Sequence, residues 1–454
     1  MNIKEIVENQ RKFFNTHTTI DINYRIEHLK KLKQNIINFQ DEVLSSLNKD
    51  LGKPYIEGFM CEVSLCLKEI NYFLKNLKKL SKPKKVIGNI ENFPSKSYYY
   101  YEPYGVTLIM CPWNYPFLLS MQPLIDSIAS GNTVILKVGN DSQNTSNTLK
   151  KIIESTFSPE YVFMLSGDRT VNQDLLNQKF DYVFFTGSEK VGKIVMKSQS
   201  EFLTPVTLEL GGKSPVIIDK TSDIALCAKR ICFGKILNSG QTCVAPDYLI
   251  IDENLKNDFI KYFSIEINKQ LGSEPLKNNE YGKIVNEKHF NRLNELLIDQ
   301  KIILGGKSDK ETLRIEPTLV DIDNDLKNKL MQEEIFGPIL PIITYTNEED
   351  IFNIIGDSTP LSLYYFGTNK TLQNKIISNI KFGGGCVNDT IMHLVTNMSF
   401  GGVGTSGMGS YHKEQGFLTF SHRKSILIKG KFEFNIRYRP YNEKKSKLIK
   451  KIMK

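Results

Sequence analysis

The sequence predicts an α/β protein built on parallel sheets covered by helices. Short, uniformly apolar segments at 106–111, 133–137 and 182–185 alternate with stretches of helical spacing. Such segments are too short for helices and are typical of strands buried on both faces of a parallel sheet. The length of 454 residues exceeds one ordinary hydrophobic core, so two or three domains are expected.

The predicted elements follow one another along the chain. Up to about residue 80, apolar residues such as Leu29, Leu32 and Ile36 recur at helical spacing, which predicts helices. The charged segment 81–85 predicts a linker, and the four tyrosines at 98–101 predict an exposed strand or arm. The alternating region then predicts strand 106–111, helix 116–129, strand 133–137, helix 146–154, strand 161–165, helix 171–178, strand 182–185 and helix 189–198. A second α/β region continues to about residue 390 with strand 215–218, helix 224–233 and strand 248–252.

Composition and charge exclude several classes of protein. Hydrophobic residues make up 40% and charged residues 24%, so a disordered chain is excluded. The formal charge is +9, but residues 429–454 alone hold eight Lys, two Arg and two Glu. The body is nearly neutral, which argues against nucleic-acid binding. Seven cysteines without a CxxC pair, and an N-terminus without an apolar core, predict a cytoplasmic protein with no disulfide framework, signal peptide or metal site.

The C-terminal segment 442–454 predicts a basic amphipathic helix. Leu448, Ile449, Ile452 and Met453 fall on one helical face, with lysines around them. Such a helix can lie on an anionic membrane surface, or it can pack its apolar face on the protein. Both interpretations stay open.

Cys243 is the candidate nucleophile. It follows a Gly-Gln-Thr loop without apolar periodicity, so packing in a core does not explain it. A thiol on a polar loop can ionise and attack an electrophile, although an incidental loop cysteine is the alternative. Cys386, which follows three glycines, is ambiguous.

Two further polar residues are candidates for acid–base and oxyanion chemistry. Glu209 lies between two leucines and is followed by two glycines, a pattern that predicts a carboxylate at the end of a buried strand. Burial raises the pKa of such a group and suits it to act as a general base, unless it pairs with Lys213. Asn114 is held between two prolines in PWNYP, where its amide can donate to a developing oxyanion or serve as a turn residue.

Signals for a cofactor are individually weaker, because GxGxxG is absent. The turn Thr186-Gly187-Ser188 follows a strand, and its Ser188 can cap a helix whose free N–H groups favour a phosphate. Lys137 ends another strand at the edge where ligands bind, and it can donate to a ribose or a phosphate. Glu334 lies two residues before Phe336, so a carboxylate and a ring could hold a ribose and a flat group. An ordinary cap, an exposed Lys and an acidic patch are the respective alternatives.

The ordered motifs PWNYP, FTGSEKVG, LELGGKSP, GQTC and EEIFGP closely resemble the aldehyde dehydrogenase superfamily. The resemblance covers nearly the whole chain, and the step of 34 residues from Glu209 to Cys243 also fits. The C-terminal segments SFGGVG, SGMG and TFSH resemble its class 3 and fatty-aldehyde branch.

This resemblance implies a Rossmann-like cofactor domain, an α/β catalytic domain and a small β oligomerisation arm. The expected limits are 1–84 and 103–208 for the NAD(P)-binding domain, 209–395 for the catalytic domain, 85–102 and 396–440 for the oligomerisation elements, and 441–454 for the tail. A homodimer is expected through the tyrosine arm and a strand near 425–428.

The resemblance also implies NAD(P)-dependent oxidation of a medium- or long-chain aliphatic, or aromatic, aldehyde to its acid. Cys243 matches the nucleophile that forms a thiohemiacetal and then a thioester, Asn114 the oxyanion donor, and Glu209 the base for hydrolysis. The positions that match cofactor contacts are Trp113, Lys137, Asn140, Thr186, Gly187, Ser188, Gly192, Glu334 and Phe336. Tyr115, Ile391 and His393 are expected to line the substrate funnel.

One position departs from the family pattern. The family usually has Glu three residues after its strand Lys, whereas this chain has Asn140. Asn lacks the charge that would repel a 2′-phosphate, so NADP is expected to be accepted beside NAD. Two alternatives remain: transfer of the acyl group to coenzyme A, against which Glu209 argues, and a non-catalytic scaffold, which would be expected to have lost Cys243, Glu209 or Asn114.

Overall fold

The computed structural model describes residues 2–453 and confirms the α/β architecture. Most predicted strands are present within two residues of their expected bounds. In chain order, strands β1 to β18 are Lys84–Val86, Ser95–Pro103, Val106–Met110, Thr133–Val138, Val162–Ser166, Tyr182–Thr186, Val206–Glu209, Pro215–Ile218, Tyr248–Asp252, Lys301–Leu304, Ser308–Asp309, Arg314–Ile315, Thr318–Asp321, Ile339–Tyr345, Ser362–Phe366, Gly384–Val387, Gly407–Met408 and Ser421–Lys429.

The helices cover both sheets and form the N-terminal segment, as predicted. In chain order, helices α1 to α17 are Ile3–Phe14, Ile22–Asn38, Gln40–Leu51, Tyr55–Gly58, Ser64–Leu80, Leu118–Ser130, Gln143–Thr156, Arg169–Leu176, Glu189–Ser200, Ile224–Ile236, Lys256–Leu271, Glu287–Leu297, Lys329–Gln332, Glu348–Ile355, Lys370–Asn379, Lys413–Thr419 and Glu443–Ile452. A π-helical turn, Phe59–Val63, joins α4 to α5.

Two sheets form the body. The first has the strand order β17-β7-β6-β3-β4-β5 and is parallel except for β17. The second has the order β10-β13-β14-β9-β8-β15-β16 and is parallel except for β10. Because parallel strands end at the same edge, the loops after β3, β4, β6 and β7 meet at the carboxyl edge of the first sheet.

A third, antiparallel sheet forms the arm, with the order β1-β2-β18. The four tyrosines lie in β2, so the predicted strand is confirmed. The predicted linker 81–85 is partly wrong, because Lys84 and Lys85 pair with Tyr99 and Tyr98 of β2. Backbone pairing with a distant strand makes this charged segment extended.

Two helix starts differ from the expectation because distant carboxylates cap them. Helix α7 begins three residues before the predicted 146, where Asp50 accepts the N–H groups of Asn144 at 3.2 Å and Thr145 at 2.8 Å. Helix α6 begins two residues after the predicted 116, where Glu62 accepts the N–H groups of Phe117 at 2.9 Å and Leu118 at 3.1 Å. Both carboxylates come from the N-terminal helical segment.

Candidate active site and cofactor groove

Residues from neighbouring parallel strands meet at the carboxyl edge of the first sheet. Glu209 is the last residue of β7 and pairs in register with Thr186, the last residue of β6. Asn114 lies four residues after β3, and Lys137 is in β4. Glu209, Asn114 and Lys137 are all buried, so the exposed position considered for Lys137 is excluded.

Cys243 lies in a loop after the 3₁₀ segment Leu237–Gly240 and lines a cavity of about 170 Å³. Most of the lining is apolar, and Tyr115 and Ile391 belong to it, as expected for a funnel. Other apolar lining residues are Met60, Leu119, Phe233, Leu237, Met392 and Val395. The cavity can therefore hold the apolar chain of a ligand whose reactive end faces the thiol.

Hydrogen bonds fix the Asn114 loop to the Cys243 loop. Asn114 Nδ2 donates to the carbonyl oxygen of Gln241 at 3.0 Å. The hydroxyls of Tyr115 and Thr242 are 2.7 Å apart. The side-chain amide of Asn114 therefore lies against the backbone that carries the nucleophile.

Glu209 is a buried carboxyl group without a polar partner. Within residues 2–453, neither of its side-chain oxygens has a hydrogen-bond donor. Burial raises the pKa of Glu209 well above its usual value. Lys213, considered as its partner, instead forms an ion pair with Asp247. Glu209 is thus available to exchange a proton with a bound molecule.

The surroundings of Cys243 favour the protonated form of its thiol. Burial raises its pKa strongly, and the negative charges of Glu334 and Glu209 raise it further. Burial also raises the pKa of Glu334 to about 8. The thiol therefore has to lose its proton before the sulfur can attack a carbonyl, and the perturbed pKa values of Cys243, Glu209 and Glu334 mark this cluster as a place for proton transfer.

Two glycines bring the turn that carries Glu334 and Phe336 next to the site. A Cβ on Gly211, two residues after Glu209, would lie 2.1 Å from Glu334 Oε2. A Cβ on Gly240, three residues before Cys243, would lie 2.3 Å from the carbonyl oxygen of Gly337. The absence of side chains here allows the turn to approach both loops.

A second cavity, a groove of about 1150 Å³, lies along the carboxyl ends of β3, β4 and β6. Most of the predicted cofactor positions line it: Trp113, Lys137, Asn140, Thr186, Gly187 and Ser188. Burial lowers the pKa of Lys137. Phe336 packs edge-on against Trp113, with ring centroids 5.5 Å apart, so the turn with Glu334 lies next to the groove, although neither Glu334 nor Phe336 lines it.

Three expectations need correction. Ser188 occupies the N-cap position of α9, but its side chain makes no capping hydrogen bond. Gly192 lies within α9, where a Cβ would be 2.7 Å from Leu210, so it permits helix packing rather than lining the groove. His393 turns away from the funnel: its Nε2 is 3.2 Å from Ser362 Oγ and its Nδ1 is 3.6 Å from Cys386 Sγ.

Sequence reasoning missed several residues around the two cavities. His289 and Arg169 line the groove, and the His289 ring lies 5.0 Å from that of Trp113. Lys53 and Glu62 are buried beside the Asn114 loop. Arg169 follows the turn after β5, and Lys53 stands between Gly52 and Pro54, but neither turn by itself indicates a contact with a distant site. His289 and Glu62 lie in helical segments that carry no such signal.

The groove fits a dinucleotide. Thr186 Oγ1 is buried and has no hydrogen-bond partner among the described residues. The adjacent start of α9 offers free N–H groups to a phosphate, and Lys137 supplies a nearby cation. No three His, Cys, Asp or Glu side chains of residues 2–453 are grouped as metal ligands.

Comparison with known proteins agrees with this geometry. The model of the aldehyde dehydrogenase family matches residues 1–426. The chain belongs to the aldehyde dehydrogenase family. It is an oxidoreductase that oxidises an aldehyde with NAD or NADP, in the branch that the C-terminal motifs predicted.

Three similar proteins illustrate the relationship. The 4,4'-diaponeurosporen-aldehyde dehydrogenase of Staphylococcus aureus is 45% identical over 97% of each chain. Aldehyde dehydrogenase family 3 member A2 of Mus musculus is 39% identical over 96% of this chain and 91% of its own. The solved substrate-bound state of Staphylococcus aureus AldH has a TM-score of 0.98 and 44% identity over 100% of both chains.

Proposed function

We propose that this aldehyde dehydrogenase oxidises medium- or long-chain aliphatic, or aromatic, aldehydes at Cys243. The observation that carries the proposal is the apolar cavity that Cys243 lines together with Tyr115, next to the loop that holds Asn114. The similar Staphylococcus aureus protein is named for 4,4'-diaponeurosporen-aldehyde. Burial of an aliphatic chain contributes about 0.8 kcal/mol per CH₂ group, which favours medium- or long-chain substrates over short ones.

The first half of the reaction is acylation of Cys243. The thiol gives its proton to a water molecule, and the sulfur attacks the aldehyde carbon to give a thiohemiacetal alkoxide. Asn114 Nδ2 and the backbone N–H of Cys243 donate to this oxyanion. A nicotinamide held by Glu334 and Phe336 would supply the acceptor for the hydride that leaves this carbon. The alkoxide then collapses to the carbonyl of a thioester on Cys243.

The second half is hydrolysis of the thioester. Glu209 removes a proton from a water molecule as the water attacks the thioester carbon. The tetrahedral intermediate collapses, the carboxylic acid leaves, and the sulfur of Cys243 is released. Because burial raises its pKa, Glu209 first has to lose its own proton, and the carboxylate that results is a stronger base for this step.

Replacement of Cys243 tests the proposal. We expect Cys243→Ala to abolish NAD(P)H formation while retaining cofactor binding, measured by fluorescence titration. Cys386→Ala is the matched control, since Cys386 is another partly buried cysteine. Retained turnover in Cys243→Ala would overturn the assignment. Faster turnover with added coenzyme A, with an acyl-coenzyme A product, would instead support the acylating alternative.

We also propose that NADP is used beside NAD. Asn140 Oδ1 accepts the N–H of Gly167 at 3.1 Å, so the amide is fixed at the groove. Lys137 and Arg169 line the same region and can balance the charge of a 2′-phosphate. Catalytic efficiencies with the two cofactors test this proposal; strict selectivity for NAD would contradict it.

For the domain organisation, we propose the limits expected from the family resemblance, with a homodimer joined through the arm. The first sheet supports the cofactor domain, the second the catalytic domain, and the arm sheet the oligomerisation elements. Strands β18 and β16 each end a sheet and offer unpaired backbone groups to a second copy. Light scattering coupled to gel filtration tests the dimer, and a monomeric mass would contradict it.

Finally, we propose a cytoplasmic enzyme whose C-terminal tail binds anionic membrane surfaces weakly. Across residues 2–453, no helix has the length and apolar character that spanning a membrane requires. No residue of helix α17 is fully buried, and Leu448 and Met453 of its apolar face are exposed, which supports a face that is available to a membrane. In a flotation assay, the intact protein should rise with anionic liposomes, whereas a protein lacking residues 441–454 should stay at the bottom of the gradient. Equal flotation of the two proteins would refute the proposal.

A further inference from the structure

We infer that the buried ion pair of Lys53 and Glu62 positions Asn114 for its role in oxyanion stabilisation. This inference rests on the proposed function of Asn114. Both side chains are completely buried, and Lys53 Nζ lies 2.5 Å from Glu62 Oε1. Neither is proposed to touch the substrate; they act through the backbone of the Asn114 loop.

Lys53 holds the loop from one side. Its Nζ donates to the carbonyl oxygen of Asn114 at 3.0 Å. The same ammonium lies 3.8 Å from the centroid of the Tyr115 ring, in the geometry of a cation–π contact. One cation thus fixes the backbone of the oxyanion donor and the adjacent ring that lines the substrate cavity.

Glu62 holds the loop from its other end. Its Oε2 accepts the N–H groups of Phe117 and Leu118, where helix α6 begins. Negative charge is favourable at a helix N-terminus, so this contact fixes where the loop ends. The two members of the ion pair therefore bracket the segment from Asn114 to Leu118.

The π-helical turn Phe59–Val63 positions Glu62. In this turn Cys61 lines the substrate cavity, while Glu62 is buried against the loop. Such turns recur at functional sites. A buried ion pair contributes little net stability, because desolvation of both charges offsets their attraction. Placement of the loop accounts for a pair that stability alone does not explain.

A second contact from the same segment fixes the nucleophile side. Glu57 Oε1 accepts the N–H of Asn238 at 2.9 Å. Asn238 Nδ2 in turn donates to the carbonyl oxygen of Asn114 at 2.8 Å. The carbonyl oxygen of Asn114 thus has two donors, Lys53 and Asn238, and loss of Lys53 leaves the loop with one.

The first test compares Lys53→Met and Lys53→Arg with the unaltered enzyme. We expect Lys53→Met to lower kcat on the order of ten- to a hundredfold, because a shift of about 1 Å at a reacting group has effects of this size. Cofactor affinity should stay unchanged. An aldehyde deuterated at C1 should show an increased isotope effect as hydride transfer becomes slower. Lys53→Arg, which keeps the cation, should restore part of the rate.

Controls separate positioning from general damage. Alkylation of Cys243 by iodoacetamide creates no oxyanion, so its rate should be the same in Lys53→Met and the unaltered enzyme. Lys151→Met breaks the exposed ion pair with Glu42, at 2.6 Å, and should leave kcat unchanged. If Lys53→Met does not fold, Lys53→Met/Glu62→Gln removes both charges and should show the same loss of kcat.

A double-mutant cycle with Asn114→Ala shows whether Lys53 acts through Asn114 or independently of it. If Lys53 acts through Asn114, Lys53→Met should lower kcat much less in the Asn114→Ala background than alone. Fully additive losses would overturn the inference, as would unchanged kcat in every folded Lys53 variant. Unchanged kcat in Asn114→Ala alone would instead refute the proposed role of Asn114, so the two failures are distinguishable.

Discussion

Asn114 Nδ2 donates a hydrogen bond of 3.0 Å to the carbonyl oxygen of Gln241, two residues before Cys243. The same carbonyl accepts a second hydrogen bond from Asn238 Nδ2, at 3.1 Å. Asn114 can therefore exchange this carbonyl for a developing oxyanion without leaving Gln241 unpaired. The resting contact keeps the donor oriented at low cost until the aldehyde adds.

Replacement of Asn114 by Ala is expected to slow hydride transfer by about a hundred- to a thousandfold, the usual effect of removing one oxyanion donor. Cofactor binding should not change, because Asn114 faces the nucleophile loop. Stopped-flow measurement of NAD(P)H formation tests this prediction. If the rate of hydride transfer fell by less than about threefold, the backbone N–H of Cys243 alone would be enough to stabilise the oxyanion.

Asn140→Glu is expected to shift the enzyme toward NAD. A carboxylate at this position would bond the ribose hydroxyls and repel a 2′-phosphate. We predict a selective loss of kcat/KM with NADP, with the value for NAD retained or raised. Asn140→Gln, which adds length without charge, is the matched control. Equal losses with both cofactors would contradict an electrostatic role.

Glu209 should make stability depend on pH. The unfolded carboxyl ionises near its usual pKa of 4.5, while burial keeps the folded group protonated to a much higher pH. The folded state then binds the extra proton, so stability falls as pH rises from 4.5 toward the raised pKa. Glu209→Gln removes this loss and should raise Tm at neutral pH.

The comparison of Tm across pH provides the control for Glu209→Gln. The difference from the unaltered enzyme should shrink as pH approaches 4.5, where the carboxyl is protonated in both states. A difference that stays constant with pH would assign the effect to packing instead.

Replacement of Gly240 tests how closely the loop that carries Cys243 approaches the turn that carries Glu334 and Phe336. Its φ is +73°, and a Cβ would lie 2.3 Å from the carbonyl oxygen of Gly337. We expect Gly240→Ala to lower the free energy of unfolding by at least about 1 kcal/mol and to reduce activity. Gly430→Ala, with nothing within 4 Å of its Cβ, is the control. Equal stability of the two variants would contradict the close approach.

The sequence was most informative where chemistry and local pattern coincide. Strands 215–218 and 248–252 have the predicted bounds, because uniformly apolar runs end at polar turns. Glu209 and Cys243 could be singled out because each breaks its local pattern. A carboxylate between leucines and a thiol on a polar loop need a reason other than packing.

Contacts between distant segments could not be predicted in this way. Lys53 and Glu62 lie in an N-terminal region whose charges, by pattern, belong on a solvated face. Their burial depends on a π-helical turn and on contact with the Asn114 loop. Phe117, which bonds Glu62, is 55 residues further along the chain. His393 likewise follows a funnel residue in sequence, yet its ring turns toward Ser362 and Cys386.

The central claim is that aldehyde oxidation proceeds through a thioester on Cys243 that Glu209 helps to hydrolyse. Intact-mass spectrometry of Glu209→Gln, mixed with NAD and a long-chain aldehyde, tests it most directly. The account predicts an adduct with the mass of the acyl group, located at Cys243 by peptide mapping and absent from Cys243→Ala/Glu209→Gln. Turnover of Glu209→Gln at the unaltered rate with no adduct, or an adduct on another residue, would contradict it.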